Sequence, residues 1–263
     1  MSQRLDAALA ARGLARSRTH AAALIAEGRV AVDGAVITKA ATRVADEASI
    51  DVATDHYVSR GAHKLLAALD GFGIVVADRV ALDMGASTGG FTQVLRERGA
   101  RPVIAVDVGH DQLAAEVAAD PEVRAVEGFN VRYMTPESLA AASGVTEPPA
   151  VVTGDLSFIS LAHVLPAVAA VAREDADIVL LVKPQFEVGR TGIREGIVVD
   201  PGLRITAATD VLWAAHDVGL GCLGVLPSPL PGTRGNRELL VHLAPGRGST
   251  PDRWAEEIAR AAS

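Results

Sequence analysis

The sequence predicts an α/β protein: a mostly parallel, Rossmann-like sheet of seven strands with one strand antiparallel, preceded by a small α+β module. Three observations predict it. Beyond about residue 56, short apolar runs alternate with helical stretches, the pattern of parallel βαβ units. One apolar run breaks into a glycine-rich turn at Gly85, Gly89 and Gly90 and opens directly into a helix. Before residue 56 the chain reads instead as two short helices and a tight hairpin.

Leu5, Ala8 and Leu9 share one helical face, and Gly13 stops that helix. Ser17 caps a second helix over 21–27, which ends at Gly28. Segments 29–32 and 35–38 flank Asp33-Gly34, a pair that favours a tight hairpin turn. The more polar stretch 46–56 is expected to join this module to the body, giving domains 1–56 and 57–263. Strands are then expected at 80–83, 103–107, 123–127, 151–155, 178–183, 223–226 and 239–243. Helices fit between them at 91–98, 112–119, 136–142, 159–172 and 203–218, and a short one at 252–262. No helix separates the last two strands. Their Pro/Gly-rich connection, 227–236, predicts an antiparallel closing pair.

With 263 residues, 49% of them hydrophobic, the chain can bury the core of one α/β domain plus a small module. The 25 Gly and 13 Pro are scattered, which excludes collagen-like and low-complexity classes. Cys222 is the single cysteine, so it forms no internal disulfide and no cysteine zinc site, and a reducing compartment follows. The weakly polar stretch 161–172 is interrupted by His163 and falls short of the roughly 20 residues that cross a bilayer. The N-terminus lacks the basic cap and apolar block of a signal peptide. A cytoplasmic protein without a membrane partner is expected. The formal charge is −7, but residues 1–45 hold seven Lys or Arg against three acids, a net +4 that leaves −11 for the remainder. That asymmetry suits a basic attachment module on an acidic body, or equally a helical module with solvated arginines.

The segment from Val80 to Phe91 is the most informative. Its glycines let a ligand approach the backbone, and in an open α/β sheet ligands lie at the carboxyl ends of the strands, where this loop sits. The spacing is not G-x-G-x-x-G, so a dinucleotide, and with it a dehydrogenase, is disfavoured. An acid, Asp83, precedes the first glycine by two residues. A second, Asp107, ends the next strand 22 residues after Gly85, placed for ribose hydroxyls. Two acids suit a cationic nucleoside, and S-adenosylmethionine is that ligand. Its candidate contacts are Asp83, Gly85, Ala86, Ser87, Thr88, Gly89, Gly90, Phe91 and Asp107.

Five ordered features then resemble one family: the basic N-terminal module, Val58-Ser-Arg-Gly-Ala-His-Lys-Leu65, the loop Asp83 to Phe91, Asp155-Leu-Ser-Phe-Ile-Ser160 and Val182-Lys-Pro-Gln-Phe-Glu187. They are similar to the TlyA family, ribosomal RNA 2′-O-methyltransferases often labelled hemolysin A. The resemblance implies a ribosomal-protein-type RNA-binding module before an FtsJ-like methyltransferase domain. It also implies a Lys-Asp-Lys-Glu set on Lys64, Asp155, Lys183 and Glu238, with Glu187 a rival for the last place, and an adenine contact from Asn130. The implied substrate is cytidine in 16S or 23S RNA within ribosomal subunits, bound around Arg4, Arg16, Ser17 and Arg18, with Arg60 extending that track toward the site.

The chemistry asks for such a set independently. A ribose hydroxyl must lose its proton as its oxygen attacks a methyl group, so a base is required. A neighbouring ammonium and burial favour a neutral amine, whereas carboxylates favour the charged form, and the sequence does not sign the balance. Lys183 is the expected base because it interrupts an apolar run before Pro184, where a structural strand gains nothing from an ammonium. Lys64 is its charged neighbour, and Asp155 and Glu238 orient the pair. Tyr57, Tyr133, Phe158 and Phe186 are the aromatics available to stack on a base. His63 and His163 have no partner at ligand spacing, so no metal is expected. Two other readings stand beside this one. A membrane-active hemolysin needs an amphipathic or spanning segment, and none exceeds core-helix length. A catalytically silent ribosome-assembly factor would keep the fold without using both lysines.

Overall fold

The computed structural model describes residues 2–15, 17–26, 28–53, 55–189, 192–232 and 234–263. The chain divides into two compact units, Met1–His56 and Tyr57–Ser263.

In the first unit, β1 (Ser2–Arg4) pairs antiparallel with β4 (Arg43–Ala45). Between them lie α1 (Leu5–Ala11) and α2 (Arg18–Ala26), which pack on each other. Asp33 and Gly34 both adopt positive φ, 49° and 81°, the turn that lets β2 (Val30–Val32) fold back onto β3 (Ala35–Val36). The expected connecting stretch 46–56 needs correction, because it contains β5 (Ile50–Val52), which pairs with β2. Asp51 is exposed between Ile50 and Val52, a period-two pattern that Ile50 uses to enter the core with Leu5, Leu9, Leu24, Ile25, Val30 and Val44.

The second unit is built on a sheet of seven strands: β6 (Ala81–Met84), β7 (Val103–Val106), β8 (Val123–Val126), β9 (Val151–Gly154), β10 (Asp177–Val182), β11 (Leu220–Pro227) and β12 (Leu239–Pro245). The spatial order is β11-β12-β10-β9-β6-β7-β8. Pairings from β8 through β10 are parallel, and β12 alone runs against both of its neighbours. Order reverses beside β6, the switch point where open α/β sheets leave a crevice for ligands. β7 and, after Asp177, β10 are buried on both faces, so they read as continuous apolar runs without alternation, whereas the edge strand β8 leaves Ala125 exposed.

Helices α3 (Gly61–Phe72), α4 (Gly90–Glu97), α5 (Ala115–Ala118), α6 (Pro136–Ser143), α7 (Leu165–Val171), α8 (Pro184–Glu187), α9 (Pro201–Asp217) and α10 (Ala255–Ala262) accompany the sheet. Two expected helices are shorter than their sequence pattern. In 159–172, Ser160 caps a single 3-10 turn, and the α-helix restarts at Leu165 with Pro166 in its first turn. In 112–119 only Ala115–Ala118 is helical, after Asp111 takes a positive φ of 54°. Helix α3 lies outside the helices the sequence pattern assigns, and its Leu65 and Leu69 pack with Phe91, Val94 and Leu95 of α4.

Candidate active site

Three adjoining cavities occupy the carboxyl edge of the parallel strands, and Ser157, just after β9, lines all of them. The first, of about 500 Å³, lies between the glycine loop, the end of β7 and the 129–131 segment. The second, of about 260 Å³, lies over Lys64, Asp155, Lys183 and Glu238. The third, of about 410 Å³, continues past Lys183 and Glu238 to Gln185 and Arg234.

The loop after β6 is shaped by backbone. Gly85 and Ala86 donate their N–H groups to the Val106 carbonyl, and Gly85 sits at φ 78° with the Asp155 carbonyl 3.1 Å from where a Cβ would be. Any side chain there would fill the crevice wall. Ser87 is held at φ 48°, and its N–H donates to Asp107 Oδ2 at 2.8 Å, while Gly109 N–H donates to Oδ1 at 2.8 Å. These bonds fix the Asp107 carboxylate at the cavity wall. Asn130 lines the same cavity, and its Oδ1 accepts the Arg132 N–H at 3.0 Å. Ala86, Thr88, Gly90 and Phe91 line the second cavity.

Asp83 and Gly89 differ from the expected contacts. Asp83 is fully buried and reaches none of these cavities; Thr92 Oγ1 donates to its Oδ2 at 2.7 Å and Thr153 Oγ1 to its Oδ1 at 3.2 Å. Burial pushes its carboxyl up to about 7, against the pull of those two hydroxyls. It braces the loop from beneath. Gly89, at φ 96°, turns toward Leu113 and Val117, each 2.9 Å from where a Cβ would stand, so its bareness serves helix packing.

Lys64, one turn into α3, is 5% exposed and donates to Glu238 Oε2 at 2.6 Å. Gly232 leaves room for that carboxylate, since a side chain there would collide with Oε1. Lys183, at the end of β10, lies 2.6 Å from Asp155 Oδ1 and donates to Ser157 Oγ at 2.9 Å. The Asp155 contact is an ion pair without hydrogen-bond alignment, so buried Oδ1 accepts no hydrogen bond among the described residues. Glu187 points elsewhere: Ser160 Oγ donates to it at 2.6 Å and Leu161 N–H at 3.0 Å. Burial raises its pKa, and it clamps the 160–161 turn outside the second cavity.

Arg60 precedes α3 and lines the second cavity. In the first unit, Arg4 and Arg18 both pair with the buried carboxylate of Asp6, at 3.0 and 3.1 Å. The hydrogen bond from Arg4 leads in holding that carboxyl down to about 2, with Arg18 adding to it. Ser17 accepts the His20 N–H at 3.1 Å at the start of α2, and Arg16 lies outside the described residues. Phe158 is 91% exposed at a φ of 66° and stands 5.3 Å from Phe186, centroid to centroid. Tyr133 is 70% exposed, and Tyr57 is half-buried, edge-on to His63 at 5.5 Å. Among the described residues no cluster of His, Cys, Asp and Glu could hold a metal ion, and no helix is long and apolar enough to cross a membrane. Ser157, Gln185, Gly232 and Arg234 also belong to the site, although the sequence pattern does not mark them as functional. Ser157 and Gln185 do lie in the quoted motifs, two residues beyond Asp155 and Lys183 respectively.

A sheet of this order, with a bare glycine loop at its switch point and a carboxylate ending the next strand, is that of an S-adenosylmethionine-dependent methyltransferase. Residues 57–244 match the FtsJ-like methyltransferase model and residues 3–50 the S4 domain model. The chain is 50% identical over 244 residues to the 16S/23S rRNA (cytidine-2′-O)-methyltransferase TlyA of Mycobacterium tuberculosis, covering 91% of this chain and 89% of that one. It is 36% identical to Hemolysin A of Brachyspira hyodysenteriae, covering 91% and 98%. A solved Streptococcus thermophilus structure, described as a candidate hemolysin, superposes with a TM-score of 0.77 at 34% identity, covering 99% and 95%. The chain belongs to the TlyA family of FtsJ-like methyltransferases, and its N-terminal unit carries an RNA-binding S4 domain.

The first cavity suits S-adenosylmethionine on its own geometry. Apolar Val106, Phe129 and Ile159 line most of it, with Asn130 among them, and it is bounded by Gly85 and by the fixed Asp107 carboxylate.

Proposed function

We propose that the protein transfers a methyl group from S-adenosylmethionine to the ribose 2′-hydroxyl of a cytidine in ribosomal RNA, within the 16S, the 23S or both. The observation that carries this reading is the pairing of two buried lysines with two carboxylates around one cavity beside the glycine loop. The cofactor supplies an electrophilic methyl group. Gly85, Ser87, Asp107 and Asn130 would hold it, Asp107 toward its ribose hydroxyls and Asn130 toward its adenine.

The substrate hydroxyl would lie against Lys183 Nζ, which, as the free amine after releasing its own proton to water, takes the hydroxyl proton as the oxygen attacks the methyl carbon. Asp155, 2.6 Å away, stabilises the ammonium that results. Ser157 Oγ, 2.9 Å from Nζ, fixes the direction in which the amine points. Lys64, anchored by Glu238, presents a positive charge to the developing alkoxide and orients the hydroxyl. Phe158 offers an exposed face on which the base of a flipped-out nucleotide stacks. Arg4, Arg18 and Arg60 contact phosphates, which give affinity and register while the shape of the folded RNA selects the target.

The test is to incubate ribosomal particles with methyl-labelled S-adenosylmethionine and either wild-type protein or Lys183→Ala, then map the label to nucleotide and atom. Label on a cytidine 2′-oxygen, reduced about 100-fold or more in Lys183→Ala, is expected. Label on a base atom overturns the catalytic assignment. Cofactor binding without transfer to particles, subunits or free RNA favours the silent assembly factor.

A further inference from the structure

Gln185 sits in α8, two residues beyond Lys183, on the wall of the third cavity. Its Oε1 is buried and accepts no hydrogen bond among the described residues. An orphaned buried acceptor costs stability unless a partner arrives, so a site that keeps one is built for a donor. The neighbouring amide in the same wall has no such vacancy. Asn236 accepts the Val198 N–H at 2.9 Å and donates to the Gly196 carbonyl at 2.8 Å, so it shapes the cavity with both ends engaged.

The place of this acceptor limits what the donor can be. The third cavity shares Lys183, Glu238 and Ser157 with the cavity over the two ion pairs, so a nucleoside with its 2′-hydroxyl at Lys183 has its base at hand for the third. Arg234 lines the same cavity and offers guanidinium donors. Acceptor and donors together complement the pairing edge of cytosine, which presents an exocyclic amine donor beside the N3 and O2 acceptors. Uracil presents O4 and N3–H in the first two places and mismatches both.

We propose that Gln185 is a specificity-determining residue, its Oε1 accepting from the exocyclic amine of the target cytosine while Arg234 donates to N3 and O2. This rests on the reading that a cytidine ribose is methylated. A site built to bond a substrate N–H rejects the analogue that lacks it because its own polar group is then left unpaired.

The experiment compares wild type, Gln185→Met and Gln185→Glu on ribosomal particles carrying either the mapped target cytidine or uridine in its place. Labelled S-adenosylmethionine is the donor, and cofactor affinity is measured separately by calorimetry. Wild type is expected to favour cytidine strongly. Gln185→Met, close in volume but without the acceptor, should lose about 10- to 100-fold in kcat/KM on cytidine and little on uridine, with unchanged cofactor affinity. Gln185→Glu retains the acceptor and should keep the cytidine preference. Equal losses on both substrates, or an unchanged ratio in Gln185→Met, overturn the proposal while leaving the ribose reaction standing. Wild-type label found off the ribose overturns that reading and this one with it.

Discussion

The side chains of Lys64 and Glu238 are both buried, so removing one leaves the other charge buried without its partner. Glu238→Gln or Lys64→Met should therefore cost about 3–5 kcal/mol in urea unfolding. The double variant Lys64→Met/Glu238→Leu should recover most of that while methyl transfer stays lost, because an apolar pair replaces the ion pair in packing alone. A double variant no more stable than the singles would show that the pair holds the fold itself. Asp83 gives a prediction in pH. Its carboxyl is raised from 3.8 to about 7, so between those values the native state keeps a proton that the unfolded chain has released. Stability contributed through this group therefore falls as pH rises across that window. Asp83→Asn, which still accepts from Thr92, should gain on wild type in melting temperature between pH 5 and pH 8; a pH-independent difference would contradict the assignment. Asp155 and Lys183 were legible because an acid and a lysine that end apolar runs stand out, whereas Lys64, inside α3, and Glu238, just before β12, came only with the family resemblance. The burial of Asp83 was not, since a strand end fixes a residue's place in the sheet but not whether its side chain opens to a crevice or meets Thr92 and Thr153. Gln185 and Ser157 lay inside quoted motifs without a role, because an amide or hydroxyl in a short turn is ordinary until its partners are known.

The strands of the large sheet are stitched at the end opposite the cavities. Asp177, at the start of β10, accepts from His242 of β12 at 3.0 Å and from Arg79, which leads into β6, at 2.7 Å. Burial resists ionisation of Asp177, but these two donors outweigh it and hold the carboxyl at about 2. Its folded-state value is depressed, so the stability it adds is present above about pH 4 and is lost as pH falls toward 2. Asp177→Ala should lower unfolding free energy by about 1–3 kcal/mol at neutral pH without changing cofactor affinity. A loss of cofactor binding at equal stability would contradict the separation of the two ends. At this scale the alternation of apolar runs and helical stretches was enough to locate the strands along the chain, since β6, β7 and β9 are buried over their whole length, but it did not give their order in the sheet. Pairs across the small unit were less legible. β1 and β4 span 3 residues each, too short for a periodic signal, and β5 hides in a polar stretch because only Ile50 is fully inside.

Across the whole chain, the acidic average and the basic first 45 residues answer different needs. Arg4 and Arg18 share the Asp6 carboxylate, which holds two guanidinium groups together on the S4 unit while leaving them 48% and 61% exposed. If they meet phosphates, Arg4→Ala and Arg18→Ala should each weaken ribosomal RNA binding and reduce the slope of log K against log salt by about 0.7–0.9 per lost contact. An unchanged slope would assign them to folding of the module. A last consequence comes from the strand that runs backwards. β12 brings its beginning, where Val182 pairs with Leu239, to the edge at which every parallel strand brings its end. The lysine in α3 thus waits for a carboxylate 174 residues downstream. Of the two lysine pairs, that of Lys183 with Asp155 is complete within the parallel strands, whereas that of Lys64 with Glu238 waits on the reversed strand, so a chain cut before Glu238 should lose the second pair alone.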